Sequence, residues 1–364
     1  MPKNTADANT SRLLDHLPPA LEVIGGVDTH ADSHTAAAVD QLGRPLGHAT
    51  FPATPTGYQQ LLDWLHGHGP LERVGVEGTG SYGAGIARHL RRHGLTVVEV
   101  NRPDRTDRRR HGKSDPLDAH NAALAVLSGH ATSTPKTGDG AVEALRLVHA
   151  SRRSAVKART AARNAFTGLL RTCPDELRGS LTSQTRTQQL RTAAHYRPDG
   201  VTTPTQAAKT ALRALARRIH ALDAEIADAD QDLKTLTEQA AHHMLTQPGY
   251  GPETTAQLLI AAGDNPERLT SEASFAALCG TSPIPASSGR TQRHRLNRGG
   301  HRQANRALHT IAVTRLRYDD RTRRYAANAR TQGKTTPEIL RQLKRYLARE
   351  AFHLLTQTQP GLTP

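Results

Sequence analysis

Residues 21–40 read LEVIGGVDTHADSHTAAAVD, and this stretch decides the fold of the N-terminal part. Its first half is an apolar run that stops at Asp28, which is typical of a buried strand that ends at an acid. Its second half, continued to residue 51, predicts two further strands around the turn Leu42-Gly43-Arg44-Pro45. We therefore expect this segment to start a larger sheet.

Strand and helix patterns then alternate up to about residue 135. Apolar positions at helical spacing predict a helix over residues 56–68, and LERVGVEGTG, residues 71–80, predicts a buried strand that again ends at an acid, Glu77. Residues 81–94 predict a helix closed by Gly94, and LTVVEVN, residues 95–101, predicts a further apolar strand. This alternation indicates an α/β domain built on a central sheet.

The chain has 364 residues, enough for two or three domains, and it is strongly basic. It contains 48 Lys and Arg against 33 acidic residues, which gives a net charge of +15. Such a balance indicates a polyanionic partner, and nucleic acid above all. A general bias toward arginine in the source proteome is the alternative explanation.

Composition also argues against several classes of protein. No stretch approaches the roughly 18 apolar residues of a membrane span, and the polar residues 1–19 lack the apolar core of a signal peptide. Cys173 and Cys279 are isolated, which fits neither a zinc pattern nor a disulfide framework. The 20 histidines are scattered, and neither His30 with His34 nor His242 with His243 matches a strong metal-ligand pattern, so we interpret most histidines as surface residues. We expect a cytoplasmic, nucleoid-associated protein.

Two long helices are predicted in the middle of the chain. Residues 140–172 contain no proline and have a strongly basic side, on which Arg146, Arg153 and Lys157 are interpreted as nucleic-acid-binding. Residues 173–204 contain three prolines and predict a connector. From Leu212 to Leu236 apolar residues recur in alternating steps of three and four, a heptad pattern that predicts a coiled coil. An intramolecular antiparallel hairpin and an intermolecular dimer seam both fit.

The last hundred residues are basic and mostly helical in pattern. Residues 245–264 predict a helix, a tight turn and a helix, and the turn 248–251 fits a phosphate-binding helix–hairpin–helix or a simple connection. The helices are interrupted by the loop TSPIPASSGRTQRHRLNRGG, residues 281–300. Guanidinium groups suit phosphate oxygens, so the arginines around this loop are predicted to bind nucleic acid: Arg290, Arg293, Arg295, Arg298 and Arg302.

Four carboxylates fall where a sheet would gather them. Asp28 and Glu77 each end a strand, and Asp115 and Asp118 begin the helix predicted from KSDPLDAHNAALAVL, with Asp115 as N-cap and Pro116 in the first turn. The spacing of three places Asp115 and Asp118 on one helical face. Clustered carboxylates repel one another unless a cation neutralises them, and oxygen ligands suit Mg²⁺ or Mn²⁺. Two such ions support phosphodiester chemistry, although each acid taken alone is more simply a cap or a solvated residue.

A competing motif lies beside Glu77. Residues 78–83, GTGSYG, satisfy G-x-G-x-x-G between a strand and a helix, and Glu99 lies about 20 residues on, where a ribose-binding acid would be. Taken alone, this pattern predicts a dinucleotide site. The carboxylate of Glu77 beside the pyrophosphate, the missing second half of a doubly wound sheet and the basic charge all argue against it. We interpret the glycines as a tight turn beside Glu77.

Four motifs together resemble the DEDD-type insertion-sequence transposases, the bridge-RNA-guided serine recombinases of bacterial mobile elements. They are GVDTHADSHTAAAVD (residues 26–40), GVEGTGSYG (75–83), VVEVNRPDRTDRRRHGKSDPLDAHNAALAVL (97–127) and PIPASSGRTQRHRLNRGG (283–300). The resemblance covers nearly the whole chain, from residue 22 to residue 355. The combined motifs are far more specific than any one of them.

The resemblance implies an RNase H-like, RuvC-type N-terminal domain with its D-E-D-D set on Asp28, Glu77, Asp115 and Asp118. It implies a coiled-coil middle and a mostly α-helical C-terminal transposase domain whose nucleophilic serine directly precedes a glycine, here Ser288, with Ser287 adjoining. On this basis we expect a flexible tail over 1–20, a catalytic domain over 21–135, a coiled-coil domain over 136–244 and a transposase domain over 245–364.

The resemblance also implies partners and cofactors. Members of this family form a composite site in which the carboxylates of one subunit face the serine of another. We therefore expect a homo-oligomer, a dimer that assembles to a tetramer. A non-coding bridge RNA pairs with both donor and target DNA. The expected cofactors are therefore this guide RNA and Mg²⁺ or Mn²⁺.

Two rival functions remain open. The first is a RuvC-like metal-dependent DNA nuclease or resolvase in which Ser288 is only structural, since a serine is a weak nucleophile until a base or metal activates it. The second is a non-catalytic RNA- or DNA-binding scaffold, against which the four intact acids argue.

Overall fold

A computed structural model describes residues 22–100, 114–285, 289, 294–295 and 297–357. The chain divides into two compact units, residues 1–139 (unit 1) and residues 140–364 (unit 2). Unit 1 combines a sheet with helices, and unit 2 is almost wholly helical. The α/β class predicted for the N-terminal part and the helical class predicted for the rest are therefore confirmed.

Unit 1 is built on a five-stranded sheet with the strand order β3-β2-β1-β4-β5. The strands are β1 (Val23–Thr29), β2 (Ser33–Val39), β3 (Pro45–Pro52), β4 (Leu71–Glu77) and β5 (Thr96–Val100). β2 pairs antiparallel with both β1 and β3, while β4 pairs parallel with both β1 and β5. The strands predicted on either side of residues 42–45 are confirmed, and β1 becomes the central strand.

Among the described residues of unit 1, three helices cover the two faces of this sheet: α1 (Pro55–His66), α2 (Ala84–Arg92) and α3 (Asp115–Leu127). One apolar cluster joins α1 and α2 to the sheet and includes Leu61, Ile86 and Val27. A second cluster joins α3 to the sheet and includes Ile24 and Ala123. Since side chains alternate along a strand, Val27 and Ile24 point to opposite faces, and the sheet is covered on both sides.

The contact between α3 and the sheet is set by glycines. A Cβ added to Gly26 in β1 would lie 2.1 Å from the carbonyl oxygen of Ala119 and 2.4 Å from the backbone nitrogen of Ala123. A Cβ added to Gly75 in β4 would lie 2.7 Å from the carbonyl oxygen of Ala122. Glycines on the strands and alanines on the helix therefore allow the two backbones to approach, which real Cβ atoms on the strands would prevent.

In unit 2, two long helices pack along each other, α4 (Ala141–Thr172) and α7 (Pro204–Leu245). Arg152 pairs with Asp230 at 2.5 Å and Arg159 pairs with Asp223 at 2.8 Å, so the two helices run antiparallel. Of the two arrangements that the heptad pattern left open, the intramolecular hairpin is present. Coiled-coil geometry and a dimer seam stay predictions.

The connector predicted over residues 173–204 joins the two long helices and is partly helical. The segment contains two short helices, α5 (Asp175–Thr182) and α6 (Arg186–Ala194). Leu177, Leu181 and Leu190 are buried there in one cluster with Phe166 and Leu212 of the long helices. Helices of two turns are marginal alone, so their burial against α4 and α7 stabilises them.

Among its described residues, the rest of unit 2 contains five α-helices, a 3-10 turn at Pro266–Arg268 and a short two-stranded ribbon. The helices are α8 (Pro252–Ala262), α9 (Glu272–Leu278), α10 (Arg302–Tyr318), α11 (Asp320–Thr331) and α12 (Thr336–Thr356), and the ribbon is β6 (Ile284–Pro285) with β7 (His294–Arg295). The helix, turn and helix predicted over residues 245–264 are confirmed. Within the described ranges, none of the helices combines the length and the apolar character needed to cross a lipid bilayer.

The glycine contact beneath α3 gives a direct test of this fold. Substitution Gly26→Ala places a Cβ against backbone atoms that cannot rotate away, so we expect the free energy of unfolding to fall by about 1–3 kcal/mol or more. Gly80→Ala is the matched control, because a Cβ there meets nothing within 4 Å, and should change stability by less than about 0.5 kcal/mol. Urea unfolding followed by circular dichroism measures both, and equal effects would contradict the packing.

Candidate functional site

Asp28 and Glu77 leave the sheet on the face that α3 covers. Gly26 and Gly75, each two residues before one of these acids, both lie against α3, and side chains two residues apart on a strand point the same way. β1 and β4 are parallel neighbours with Val27 opposite Val76. The structure therefore places both acids at one edge of the sheet, as the strand ends predicted.

The other two acids lie in the first turn of α3. Ser114 is the N-cap, so the prediction that Asp115 caps the helix is wrong by one residue, and Asp115 is its first helical residue. Pro116 lies in the first turn, as predicted. Asp118 is 1 % exposed, whereas the side chain of Asp115 is about half exposed. The helix start thus offers one buried and one accessible carboxylate.

His30 joins two of the acids. Its Nε2 lies 3.2 Å from Oδ2 of Asp28 and 3.3 Å from Oδ1 of Asp115. One ligand atom from each of these three residues lies within 4.8 Å of the others, which is compact enough to hold a metal ion. Among the described residues this compact group does not include Glu77 or Asp118, so the four predicted acids are not all gathered at ligand distance.

Sequence reasoning missed His30, and a signal was available. The residue stands two positions after Asp28, so it continues the same face of β1 just beyond the strand end. His34 is an exception to the expectation that most histidines lie at the surface, because it is 0 % exposed and stacks on Tyr58 with ring centroids 5.5 Å apart. Burial lowers the pKa of His34. The spacing of His30 from Asp28 was the one available signal, and it concerned His30 alone.

Electrostatics at Asp28 favour a cation. Burial raises the pKa of Asp28 above its ordinary value, His30 opposes this shift, and the charges of Asp118 and Asp115 raise the pKa further. A buried carboxylate beside two others is stabilised by any positive charge that enters the group. Two carboxylates and an imidazole form a donor set that fits a divalent metal ion. The chemistry of these residues therefore supports the predicted metal site, with His30 added to it.

The glycine-rich segment 78–83 turns back onto the end of β4. Gly78 has a φ of +64°, and its carbonyl oxygen accepts hydrogen bonds from the backbone nitrogens of Ser81 and Gly83. A Cβ on Gly83 would lie 2.5 Å from the carbonyl oxygen of Glu77, which also accepts a hydrogen bond from Oγ1 of Thr29 at 3.0 Å. The glycines therefore serve contacts of the chain with itself, which agrees with the interpretation of a tight turn that presents Glu77.

The basic residues predicted on α4 divide into two groups. Arg146 forms an ion pair with Glu143, while Arg153 and Lys157 are exposed and form no ion pair within the part of the chain that the structure describes. Three further arginines of this helix pair with acids of α7 and α8: Arg152, Arg159 and Arg163. Only Arg153 and Lys157 thus keep the free charge that the prediction requires.

The structure describes only part of the loop 281–300 that contains the predicted nucleophile. Arg295, Arg298 and Arg302 are exposed. Ser287, Ser288, Arg290 and Arg293 lie outside the described residues.

The turn at residues 248–251 packs against unit 2 itself. Gly249 has a φ of +82°, and a Cβ there would lie 3.2 Å from the carbonyl oxygen of Ile311. Tyr250 is buried under the guanidinium of Arg315, and burial raises the pKa of its hydroxyl. At the start of α8, Glu253 pairs with His149 and Arg152 of α4. A connection between packed helices accounts for these contacts without a phosphate.

Two family models match this chain. Residues 25–174 match the transposase model DEDD_Tnp_IS110. Residues 241–327 match the model of the transposase IS116/IS110/IS902 family. The first match contains all four predicted acids and the second contains the serine loop.

Curated relatives come from insertion elements. The chain is 31 % identical over 143 residues to "Insertion element IS900 uncharacterized 42 kDa protein" of Mycobacterium paratuberculosis, over 38 % of this chain and 36 % of the relative. It is 34 % identical over 114 residues to "Insertion element IS110 uncharacterized 43.6 kDa protein" of Streptomyces coelicolor, over 31 % and 28 %. It is 26 % identical over 326 residues to "Mini-circle putative transposase for IS117" of the same species, over 74 % and 78 %. The matches thus span about a third of the first two relatives and more of the third.

The raised pKa of Asp28 predicts a pH-dependent cost to folding when no divalent ion is present. The folded protein holds the Asp28 proton more tightly than the unfolded chain does, so stability falls as pH rises from the ordinary value of 3.8 through the raised pKa. Asp28→Asn removes this loss, so its stability relative to the wild type should increase across that range and stay higher above it. Thermal unfolding in EDTA at a series of pH values measures the difference.

Asp32→Asn is the control for this prediction, because Asp32 is exposed. The same pH trend in both variants would contradict the assignment. Added Mg²⁺ should stabilise the wild type and not Asp28→Asn, since only the wild type keeps the central carboxylate.

A second substitution tests His30 as a ligand. If Nε2 of His30 joins the two carboxylates around an ion, His30→Ala should weaken Mn²⁺ binding about ten-fold or more, measured by calorimetry or by electron paramagnetic resonance. His66→Ala removes an exposed histidine of α1 and should leave the affinity unchanged. Unchanged or tighter binding by His30→Ala would show that the imidazole only occupies the place of the ion.

Proposed function

We propose that the chain is a transposase of the IS110/IS116/IS902 family, whose models match residues 25–174 and 241–327, and that it cuts and rejoins DNA strands through a serine–phosphate intermediate. The observation that carries the proposal is the buried Asp28 carboxylate packed beside Asp115 and His30, inside the segment that matches the DEDD transposase model. The RNase H-like assignment of unit 1 is supported by its mixed sheet, in which the central strand carries this acid.

The residues of unit 1 would hold a divalent ion, Mg²⁺ or Mn²⁺. Asp28, His30 and Asp115 would supply the ligands at closest distance, and Glu77 and Asp118 would adjust the charge around them. When bound, the ion supplies positive charge to the phosphate and helps to activate the attacking oxygen. The half-exposed Asp115 keeps the group open to a substrate, while the burial of Asp28 and Asp118 fixes their positions.

Ser288 is the proposed nucleophile, because the resemblance implies a reacting serine directly before a glycine, and Ser288 precedes Gly289 in the loop 281–300 (the serine loop). Its hydroxyl oxygen attacks the phosphorus of one DNA strand and forms a serine–phosphate ester, while the bond from phosphorus to the leaving sugar oxygen breaks. The serine proton passes to that sugar oxygen, directly or through a base. A sugar hydroxyl of a second strand then attacks the ester, which restores the serine and joins the strands.

The proposed substrates and partners are donor DNA, target DNA and a non-coding bridge RNA that pairs with both. The net charge of +15 and the exposed Arg153 and Lys157 support a nucleic-acid partner. We place Arg290, Arg293, Arg298 and Arg302 around the attacked phosphate, since guanidinium groups suit its oxygens. Arg146, already paired with Glu143, is the weakest member of the proposed set.

A homo-oligomer is part of the proposal. In it the acids of one subunit act on the phosphate that the serine of another subunit attacks, so at least a dimer is needed, and exchange between two duplexes needs a tetramer. The proposed domains are 21–135 for the acids, 136–244 for the helical hairpin and 245–364 for the serine. The second boundary rests on the sequence pattern, because one apolar cluster contains residues of α4, α7, α8 and α10.

Two adjacent serines offer a matched test of the mechanism. Ser288→Ala should abolish the covalent protein–DNA adduct and lower strand exchange by about 10³-fold or more, whereas Ser287→Ala should retain both. Denaturing gel electrophoresis of labelled synapsed DNA with Mg²⁺ measures the adduct and the exchange together. Asp28→Ala should lose both readouts as well, because the metal group is then incomplete.

The outcomes separate the rival functions. Cleavage by Ser288→Ala without an adduct would identify a metal-dependent nuclease or resolvase. Full activity of Asp28→Ala would overturn the metal mechanism, and inactivity of the wild type with DNA, Mg²⁺ and its guide would indicate a binding scaffold. Sequencing of the RNA that co-purifies with the wild type tests the guide, and absence of any discrete RNA would contradict RNA guidance.

A further inference from the structure

Unit 2 contains a cleft that the serine mechanism does not use. Its volume is about 790 Å³. One wall is a face of α12, and the other is formed by the segment 280–283 together with Arg295 and Asn297. Pro283 directly precedes β6, Arg295 is the last residue of β7, and Ser288 lies between these two strands in the sequence.

The lining of the cleft is strongly cationic. Five of its side chains are basic, and its one acid is Glu338; the basic residues are Arg295, Lys334, Arg341, Lys344 and Arg345. The carboxylate of Glu338 accepts hydrogen bonds from the backbone nitrogen of Thr335 at 2.8 Å and from its hydroxyl at 2.7 Å. Hydrogen bonds from Thr335 and the charges of Arg341 and Lys334 lower the pKa of Glu338. One carboxylate against five basic side chains leaves the lining of the cleft positively charged.

Lys344 is held in position at this wall. Its Nζ donates a hydrogen bond to Oδ1 of Asn305 at 2.9 Å. The amide nitrogen of Asn305 in turn donates to the carbonyl oxygens of Cys279 at 2.8 Å and Gly280 at 3.1 Å. An ammonium has three donors, so Lys344 keeps two for a ligand. Burial lowers the pKa of Lys344, a cost that an anion in the cleft would offset.

Two other cations are not paired. Arg341 is exposed, and neither Arg341 nor Lys334 forms an ion pair with any described residue. Arg345 by contrast lies 3.4 Å from Glu272, which fixes it on the adjoining edge. The cleft thus combines anchored cations with free ones, an arrangement that suits a ligand with several negative charges along its length.

An aromatic ring borders the same wall. Tyr346 is 54 % exposed, and its ring meets Tyr325 edge-on with centroids 5.7 Å apart. The hydroxyl of Tyr325 donates to Oε1 of Gln342 at 2.8 Å, which fixes the supporting ring. A supported, exposed tyrosine beside cations offers a surface on which an unpaired base can stack.

We propose that this cleft binds a single strand of nucleic acid, with Lys344, Arg341 and Lys334 on the phosphates and Tyr346 under a base. The proposal rests on the proposed function in that the protein acts on nucleic acid, and it deepens that function by placing an unpaired strand next to the serine loop. Phosphate contacts give affinity without sequence, and stacking selects an unpaired base over a duplex. The strand is DNA or RNA, which share this chemistry.

Fluorescence anisotropy with labelled 12-nucleotide strands tests the cleft. The full chain is titrated in EDTA against single-stranded DNA, single-stranded RNA and a DNA duplex at several salt concentrations. Lys334→Ala/Arg341→Ala should weaken single-strand binding and lower the slope of log affinity against log salt by about 1.4, at about 0.7 per lost phosphate contact. Lys344→Met should lower the slope by about 0.7. The strand bound more tightly, DNA or RNA, identifies the natural source.

Tyr346 has its own pair of variants. Tyr346→Leu should weaken single-strand binding about five-fold or more, and Tyr346→Phe should retain it, because a phenyl ring still stacks. The slope with salt should not change in either variant, since no charge is lost. Equal losses for single strand and duplex, or no loss with leucine, would overturn the single-strand assignment.

Arg321→Ala/Arg324→Ala is the matched control for charge. Both arginines are exposed on α11 outside the cleft lining, so the variant loses the same charge and should bind as the wild type does. An equal effect of the two double variants would overturn the cleft. Binding is measured in EDTA, so it does not depend on the metal site. If only the cleft proposal is wrong, the cleft variants bind single strands like the wild type and still form the metal-dependent adduct. If the serine mechanism is wrong, the wild type forms no adduct, but its binding of single strands can still be measured.

Discussion

The site in unit 1 depends on one steric constraint, the absence of side chains on Gly26 and Gly75 beneath α3. Their Cα atoms lie so near to the helix backbone that a Cβ would fall 2.1 Å from a carbonyl oxygen at the first position and 2.7 Å at the second. Because each glycine stands two residues before an acid on the same strand face, the contact that seats α3 also brings Asp115 and Asp118 to the edge where Asp28 and Glu77 emerge. The same contact therefore determines both the packing of α3 on the sheet and the geometry of the site.

Sequence patterns predicted the parts of this arrangement that are local. Strands that end at Asp28 and Glu77, and a helix that starts beside Pro116, follow from apolar runs and from proline at a helix start, and all are present. His30 escaped because its role depends on a partner 85 residues away, Asp115, and no spacing in the sequence joins the two. The helices α5 and α6 were not predicted for a similar reason: they are short, they lie between Pro174 and Pro198, and they depend on burial against α4 and α7.

Net charge is a weak guide to where nucleic acid would bind. The basic residues of α4 suggested one nucleic-acid-binding surface. Arg152, Arg159 and Arg163, however, form ion pairs with acids of the same unit. Such pairs align the antiparallel helices and leave little potential outside them. Conversely, α12 has no long basic run, and its free cations become a common wall only through the fold. A basic side chain therefore favours nucleic-acid binding only when no acid of the same protein already pairs with it.

The proposed mechanism divides the chemistry between the two units, and electrostatics favours this division. A phosphate about 4 Å from an uncompensated carboxylate is repelled by about 4 kcal/mol at an effective dielectric constant near 20, so the acids of unit 1 would need a bound cation before a phosphate could approach them. A basic wall holds a strand but would neutralise the acids if it shared their pocket. Separate scaffolds let glycine packing keep the carboxylates close while Lys344 and Arg341 stay free for phosphates. In the proposed mechanism the strand is therefore held by unit 2, and unit 1 acts only on the phosphate that is brought to its ion.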